Sequence, residues 1–170
     1  MTDLIHGFLD LSKLESGKLR LTPELFDINQ LINEIIADFK QASNSHVFIF
    51  QPGNGLVVNA DREKIGQVIA NLLSNAVKYS NKGTSISIKI RDTDTGLEVS
   101  VTDQGVGIKL KDQKKLFQRF YRVENEKIQN VSGFGIGLYL AGEIIQCHKG
   151  KIGVESIEGE GSTFYFTLPL

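Results

Sequence analysis

Between Asp61 and Ser80 the apolar residues Ile65, Val68, Ile69, Leu72, Leu73 and Ala76 recur at helical spacing and share one face, while Gln67, Asn71, Asn75 and Lys78 share the opposite one. Tyr79 falls on the border between the stripes, and Asp61 supplies the N-cap. The same period appears in "INQLINEIIADFKQA" after Asp27, a second N-cap, with Ile28, Leu31, Ile32, Ile35, Ile36 and Phe39 in register. A shorter amphipathic helix is predicted in "TDLIHGFLDLSKLES", stopping at Gly17. The segment "KLRLTPELFDI" reads as extended, with Pro23 marking a hinge or an edge strand.

Strand patterns lie between the helices. "HVFIF" and "LVVNA" are separated by Pro52 and glycines, and "SISIKI" and "LEVSVTD" alternate in period two as a hairpin whose loop ends at Gly96. "KDQKKLFQRFYR" is predicted to be a short helix with Leu116, Phe117 and Phe120 on one side. Residues Val123 to Ser132 are polar and aperiodic, hence a loop; a further helix starts near Gly135, and "KIGVES" and "STFYFTL" form a closing hairpin. Strands in pairs between helices indicate an α+β fold, a two-layer sandwich of helices on one mixed sheet, rather than a doubly wound parallel one.

Composition narrows the chemistry. The 170 residues suffice for one ordinary domain, and a formal net charge of −1 offers no broad basic surface for nucleic acid, so any phosphate site must be local. A single cysteine, Cys147, excludes an internal disulfide. No apolar run approaches the roughly 18–20 residues that cross a bilayer, and no signal-peptide pattern opens the chain. The expectation is a soluble, cytoplasmic chain.

The two asparagines of the polar stripe ask for a reason, because asparagine is a poor helix former and a solvated face normally uses Lys, Glu and Arg. Amide oxygens are hard ligands for a divalent cation that borrows the rest of its shell from water and substrate phosphates. A plain solvated face and a metal–nucleotide site both remain open on this helix alone. Three glycine boxes follow. "DQGVGI", Asp103 to Ile108, is either an ordinary turn or a place where backbone approaches a ligand while the carboxylate accepts from an exocyclic amino group. "GFGIGL", Gly133 to Leu138, opens a helix and could bind an anion, but it lacks the preceding strand of a dinucleotide fingerprint. "GEGST", Gly159 to Thr163, suits a hairpin turn.

Their order is what carries information. An amide-bearing helix, D-x-G-x-G, "LFQRFYR", a loop, G-x-G-x-G at a helix and G-x-G-S-T-F together resemble the ATP-binding domain of sensor histidine kinases, in the group that also holds type II topoisomerases, Hsp90 chaperones and MutL repair proteins. The resemblance implies a Bergerat-type ATP-binding fold over 27–170, a linker over 18–26 and, in 1–17, the end of the second helix of a dimerisation hairpin. It implies Mg²⁺ held mainly by Asn75 with Asn71 assisting, Lys78 on phosphates, Tyr79 on the adenine face and Asp103 reading adenine. Gly105 and Gly107 would admit the nucleotide, Arg122 would reach the triphosphate with Arg119 as a second candidate, and Gly133, Gly135, Gly137 and Leu138 would close a lid. Lys78 and Arg122 are the residues expected to assist phosphoryl transfer, while Phe117 and Phe120 are expected in the core. Phe134 departs from the family's usual Thr or Ser.

The ATPase branches carry a glutamate where Asn71 stands, and an amide cannot accept a proton from water, which favours a kinase. No histidine looks like a phosphoacceptor: His6 precedes Gly7 instead of an acidic residue, His46 begins a strand and His148 ends a helix. The expectation is therefore a fragment that binds Mg·ATP and donates the γ-phosphoryl group to a hairpin supplied in trans, from a parent that dimerises through that hairpin and serves a response-regulator receiver domain. The rival readings are an ATPase-type conformational switch, a serine kinase of the anti-sigma type, and a degenerate interaction module without phosphotransfer.

Overall fold

The computed structural model of the chain describes residues 20–55, 57–123 and 134–169. The helix expected in 1–17, His6, Gly133 and most of the loop expected after Val123 lie outside the described residues.

Strand β1 (Glu24–Asp27) comes from the end of the segment expected as a linker, and it pairs antiparallel with β3 (Val57–Ala60) as a two-stranded sheet of its own. This pair, in which Phe26 and Val58 are buried, is an addition to the expected mixed sheet, which the other five strands form. Helix α1 (Ile28–Ala42) begins where expected: the Asp27 carboxylate accepts from the backbone N–H groups of Asn29 and Gln30. Strand β2 (Val47–Gln51) runs parallel to β4 (Ser85–Thr93), which pairs antiparallel with β5 (Gly96–Asp103). Strands β6 (Ile152–Ile157) and β7 (Gly161–Pro169) complete a mixed sheet of order β2-β4-β5-β7-β6.

Alternation along the sheet decides what is buried. On its inner face Ile86, Ile88 and Ile90 of β4, Leu97, Val99 and Val101 of β5, and Phe164, Phe166 and Leu168 of β7 form one apolar surface. Helix α2 (Arg62–Tyr79) and helix α4 (Gly137–Cys147) pack on it and against each other, with α1 against α2. The six apolar residues expected on the inner face of α2 are the six it buries. Each of the five larger side chains contributes about 1.5–3 kcal/mol relative to exposure, so the helix layer is held chiefly by this face.

The N-terminus of α2 is tied on three sides. One oxygen of the Asp61 carboxylate accepts from Lys64 N–H at 3.0 Å and the other from Thr22 N–H at 2.9 Å, while the backbone N–H of Asp61 donates to Nε2 of His148 at 3.0 Å. His148 stands at the C-terminal end of α4, and its Nδ1 lies 2.8 Å from the Ile144 carbonyl.

The region after β5 departs from the expected helix. Only α3 (Leu110–Gln113) is helical; Leu116 and Phe117 then turn inward to the core. Phe120, expected in the core, is 56% exposed, because its backbone is left-handed (φ 62°) and its N–H is directed to the Gly135 carbonyl. The Arg119 guanidinium lies 4.7 Å from the centre of the Phe120 ring.

Candidate functional site

A cavity of about 870 Å³ opens between α2, the loop after β5 and the start of α4. The polar stripe of α2 forms its floor: Gln67, Asn71, Asn75, Lys78 and Tyr79 all line it. A helix advances about 1.5 Å per residue, so the stripe from Asn71 to Tyr79 extends about 12 Å, enough to underlie a ligand with two chemically different ends.

At the Tyr79 end stands Asp103. It occupies the position after Val101 on the inner face of β5, opposite Ser162 of β7, so it continues a row that is otherwise apolar. That register explains a carboxylate only 6% exposed. Its Oδ1 accepts from Gly105 N–H at 2.8 Å, and the backbone of Ser162 supplies a second hydrogen bond. Burial pushes its pKa above the ordinary carboxylate value, and the two backbone donors offset part of that push.

The glycines of this box are constrained by their own chain. A Cβ on Gly105 would collide with the Tyr79 carbonyl, and one on Gly107, whose φ is 66°, with the carbonyl of Ile157. The chain after α2 is stitched to the same loop by Ser80, which bridges to Gly105, and by Val106 N–H donating to the Tyr79 carbonyl. Gly107 lines the cavity.

At the Asn71 end the wall is made by Arg122, Phe134, Gly135, Gly137 and Leu138, with Arg122, Phe134 and Gly137 exposed. Helix α4 begins at Gly137 with no side chain capping it, so its first N–H groups retain donor capacity. A Cβ at Gly137 would come within 2.5 Å of Asn71 Oδ1, so the glycine lets the amide lie against the start of α4. The Nδ2 of Asn71 is buried and, among the described residues, has no hydrogen-bond partner. A buried amide nitrogen without a partner is uncommon, and a ligand in the cavity could supply one.

Among the described residues no three carboxylate, histidine or cysteine groups gather as a metal cluster. The donor set is instead two amides one turn apart, Asn71 and Asn75. That set fits a cation such as Mg²⁺, which takes one or two protein oxygens and completes its shell with water and phosphate.

The residues read from the sequence thus meet in one cavity: Asn71, Asn75, Lys78, Tyr79, Asp103, Gly107, Arg122, Gly135, Gly137 and Leu138. Arg119 is not among those lining it, being stacked on Phe120. Ser162 and Tyr121 also line it and were not singled out. Ser162 could have been found from its place in G-E-G-S-T, directly opposite Asp103 once the β5–β7 register is known. Neither described histidine has a ring nitrogen without a neighbour: His46 is buried with Nδ1 2.8 Å from Ser45 Oγ and Nε2 3.0 Å from Ser80 Oγ, and His148 is engaged as above.

Residues 60–170 match the family described as histidine kinase-, DNA gyrase B- and HSP90-like ATPases, and the chain belongs to that family. Over 173 aligned residues it is 39% identical to the sensor histidine kinase WalK of Bacillus subtilis (strain 168), covering 99% of this chain and 28% of that protein. WalK of Staphylococcus haemolyticus (strain JCSC1435) is 33% identical with the same coverage. The chain therefore spans less than a third of the length of these relatives. The catalytic domain of histidine kinase ThkA superposes with a TM-score of 0.76 at 32% identity, covering 87% of this chain and 95% of that one. ThkA in complex with the response regulator TrrA superposes with a TM-score of 0.77 at 27% identity, covering 99% of this chain and 48% of that one. Among the described residues no helix is long and apolar enough to cross a membrane.

Proposed function

We propose that this chain is the ATP-binding catalytic part of a sensor histidine kinase, acting in the cytoplasm. The observation that carries the reading is the convergence of Asp103, buried at the end of an apolar row, with the amide stripe of α2 in one cavity.

Asp103 accepts from the exocyclic amino group of adenine, Tyr79 packs on the base, and Gly105 and Gly107 hold the backbone close to it. Asn75, with Asn71, would hold the cation, which would supply neutralisation of phosphate charge. Lys78 and Arg122 meet the triphosphate, and Gly133, Gly135, Gly137 and Leu138 close over it. In the transfer the bond from the γ-phosphorus to the bridging oxygen breaks, a bond from phosphorus to an imidazole nitrogen forms, and ADP leaves. This chain positions the donor and stabilises charge, which is most of what phosphoryl transfer requires.

Asn71 supports kinase rather than ATPase chemistry, since an amide cannot take the proton of an attacking water. The acceptor histidine lies on a dimerisation hairpin, of which 1–17 would be the end of the second helix and 18–26 the connection. The full protein works as a homodimer and passes the phosphoryl group to a response-regulator receiver domain; the ThkA–TrrA complex supports that partner class.

The test is calorimetric titration with ATP, with and without Mg²⁺, followed by incubation with γ-labelled ATP and an acceptor hairpin polypeptide. Mg²⁺-dependent binding and label on the hairpin histidine are expected. Absence of binding at millimolar ATP would overturn the reading, and binding with release of inorganic phosphate but no labelled histidine would point to an ATPase.

A further inference from the structure

Two side chains that no motif contains hold the Asp103 loop in place. Ser156, near the end of β6, uses its hydroxyl completely. Its oxygen accepts from Ile108 N–H at 2.8 Å, its proton goes to the Gly161 carbonyl at 2.8 Å, and Ser162 Oγ, 2.8 Å away, donates to the remaining lone pair. Gln113, the last residue of α3, divides its amide group between two carbonyls, Ile108 and Ser156, each at 2.8 Å. Gly159 N–H adds a bond to the Val106 carbonyl. The loop carrying Gly105 and Gly107 is thereby clamped to the β6–β7 turn, and the Ser162 hydroxyl that joins the clamp belongs to the residue whose backbone supports Asp103.

We propose that Ser156 and Gln113 are positioning residues that set nucleobase selectivity, by fixing the D-x-G-x-G loop so that Asp103 presents its carboxylate in one geometry. This rests on the nucleotide reading above. A buried carboxylate rewards an amino group and penalises a carbonyl at the same position, so it separates adenine from guanine only while it is held still. Loosening its loop lets the carboxylate retreat, which weakens ATP and leaves the already disfavoured GTP little changed.

The experiment measures ATP affinity by calorimetry and GTP affinity by displacement of bound ATP, both with Mg²⁺, together with thermal melting. The proteins are the unaltered chain, Ser156→Ala, Gln113→Met and Ser156→Thr. Gln113→Met keeps length and volume without the two donors, and Ser156→Thr restores the hydroxyl. Ser156→Ala and Gln113→Met are each expected to weaken ATP about tenfold, about 1.4 kcal/mol, with the ATP-to-GTP preference falling by a similar factor and Ser156→Thr close to the unaltered protein. Equal losses for both nucleotides alongside a lowered melting temperature, or a preference within about twofold of the unaltered protein in both variants, would overturn the proposal while leaving the nucleotide reading intact. No ATP binding by the unaltered protein would overturn both. If Ser156→Ala does not fold, the Gln113→Met comparison decides.

Discussion

The two ends of the cavity are built on opposite plans. Around Asp103 the carboxylate and Ser162 are buried, and the loop is held by a series of bonds: Gly105 N–H and Ser162 to the carboxylate, Val106 to Tyr79 and Gly159, Ile108 to Ser156. Around Asn71 the wall is exposed at Arg122, Phe134 and Gly137, the helix starting there has no side-chain cap, and a buried amide nitrogen has no partner among the described residues. One end is finished before a ligand arrives; the other leaves donors to be satisfied by it. Selectivity needs the first plan, because a recognising group that moves cannot discriminate, and a transferring end needs the second, because its contacts must form and release in each cycle.

The contrast breaks hardest at Asp103. Asp103→Asn is expected to weaken ATP about a hundredfold, the scale of a hydrogen bond to a charged acceptor, measured by calorimetry. The same variant tests the burial of the carboxylate. Its folded pKa is raised above the unfolded value, so between the two values the folded state holds the proton more tightly and stability falls as pH rises through that window. In a denaturant series across that window, the stability of the unaltered protein relative to Asp103→Asn should fall as pH rises.

Asn75→Ala comes next. It is expected to reduce Mg·ATP affinity about tenfold and to remove the difference between titrations with Mg²⁺ and with chelator, because the cation would lose an oxygen from a shell with few protein ligands.

Both residues stood out in the sequence because helical periodicity and glycine spacing are local, but each pattern alone left an ordinary face or turn open, and only the order of the boxes, as a resemblance, tied them to one site. The buried face of α2 was legible in full for the same reason: six apolar residues at one spacing have one way to face a core. What was not legible depends on contacts between distant segments. Glu24–Asp27 form the edge strand that is one of the two readings of this segment, but nothing within "TPELFDI" encodes its partner, Val57–Ala60. Phe120 looked like a core residue by spacing, but the carbonyl of Gly135 draws its backbone into the left-handed region and turns the ring outward. Ser156 and Gln113 lie in no glycine box, and their bonds appear only once the β6–β7 turn is folded against the loop after β5.

At the open end the expected effects are smaller. Gly137→Ala places a methyl group against the Asn71 amide; the side chain can shift to relieve it, so Mg·ATP affinity is expected to fall about threefold to fivefold. Gly137 is the first residue of the helix and its φ is not in the left-handed region, so alanine fits its backbone and the melting temperature should change little. Loss of affinity with unchanged stability would separate this residue's steric role from a folding role. Phe134→Ser should improve Mg·ATP affinity by no more than about threefold, the value of one exposed hydroxyl contact, as read by the same titration. A larger gain would mean that the open end is more ordered than its exposure indicates.

The three-way hold on Asp61 gives α2 the character of a ruler. Its first turn is joined to the backbone of Thr22 and to the far end of α4, while its later turns carry the amides and Tyr79. Asn71, Asn75 and Lys78 therefore ride on one element whose start is fixed by hydrogen bonds to two distant segments, so their mutual spacing is that of the helix itself.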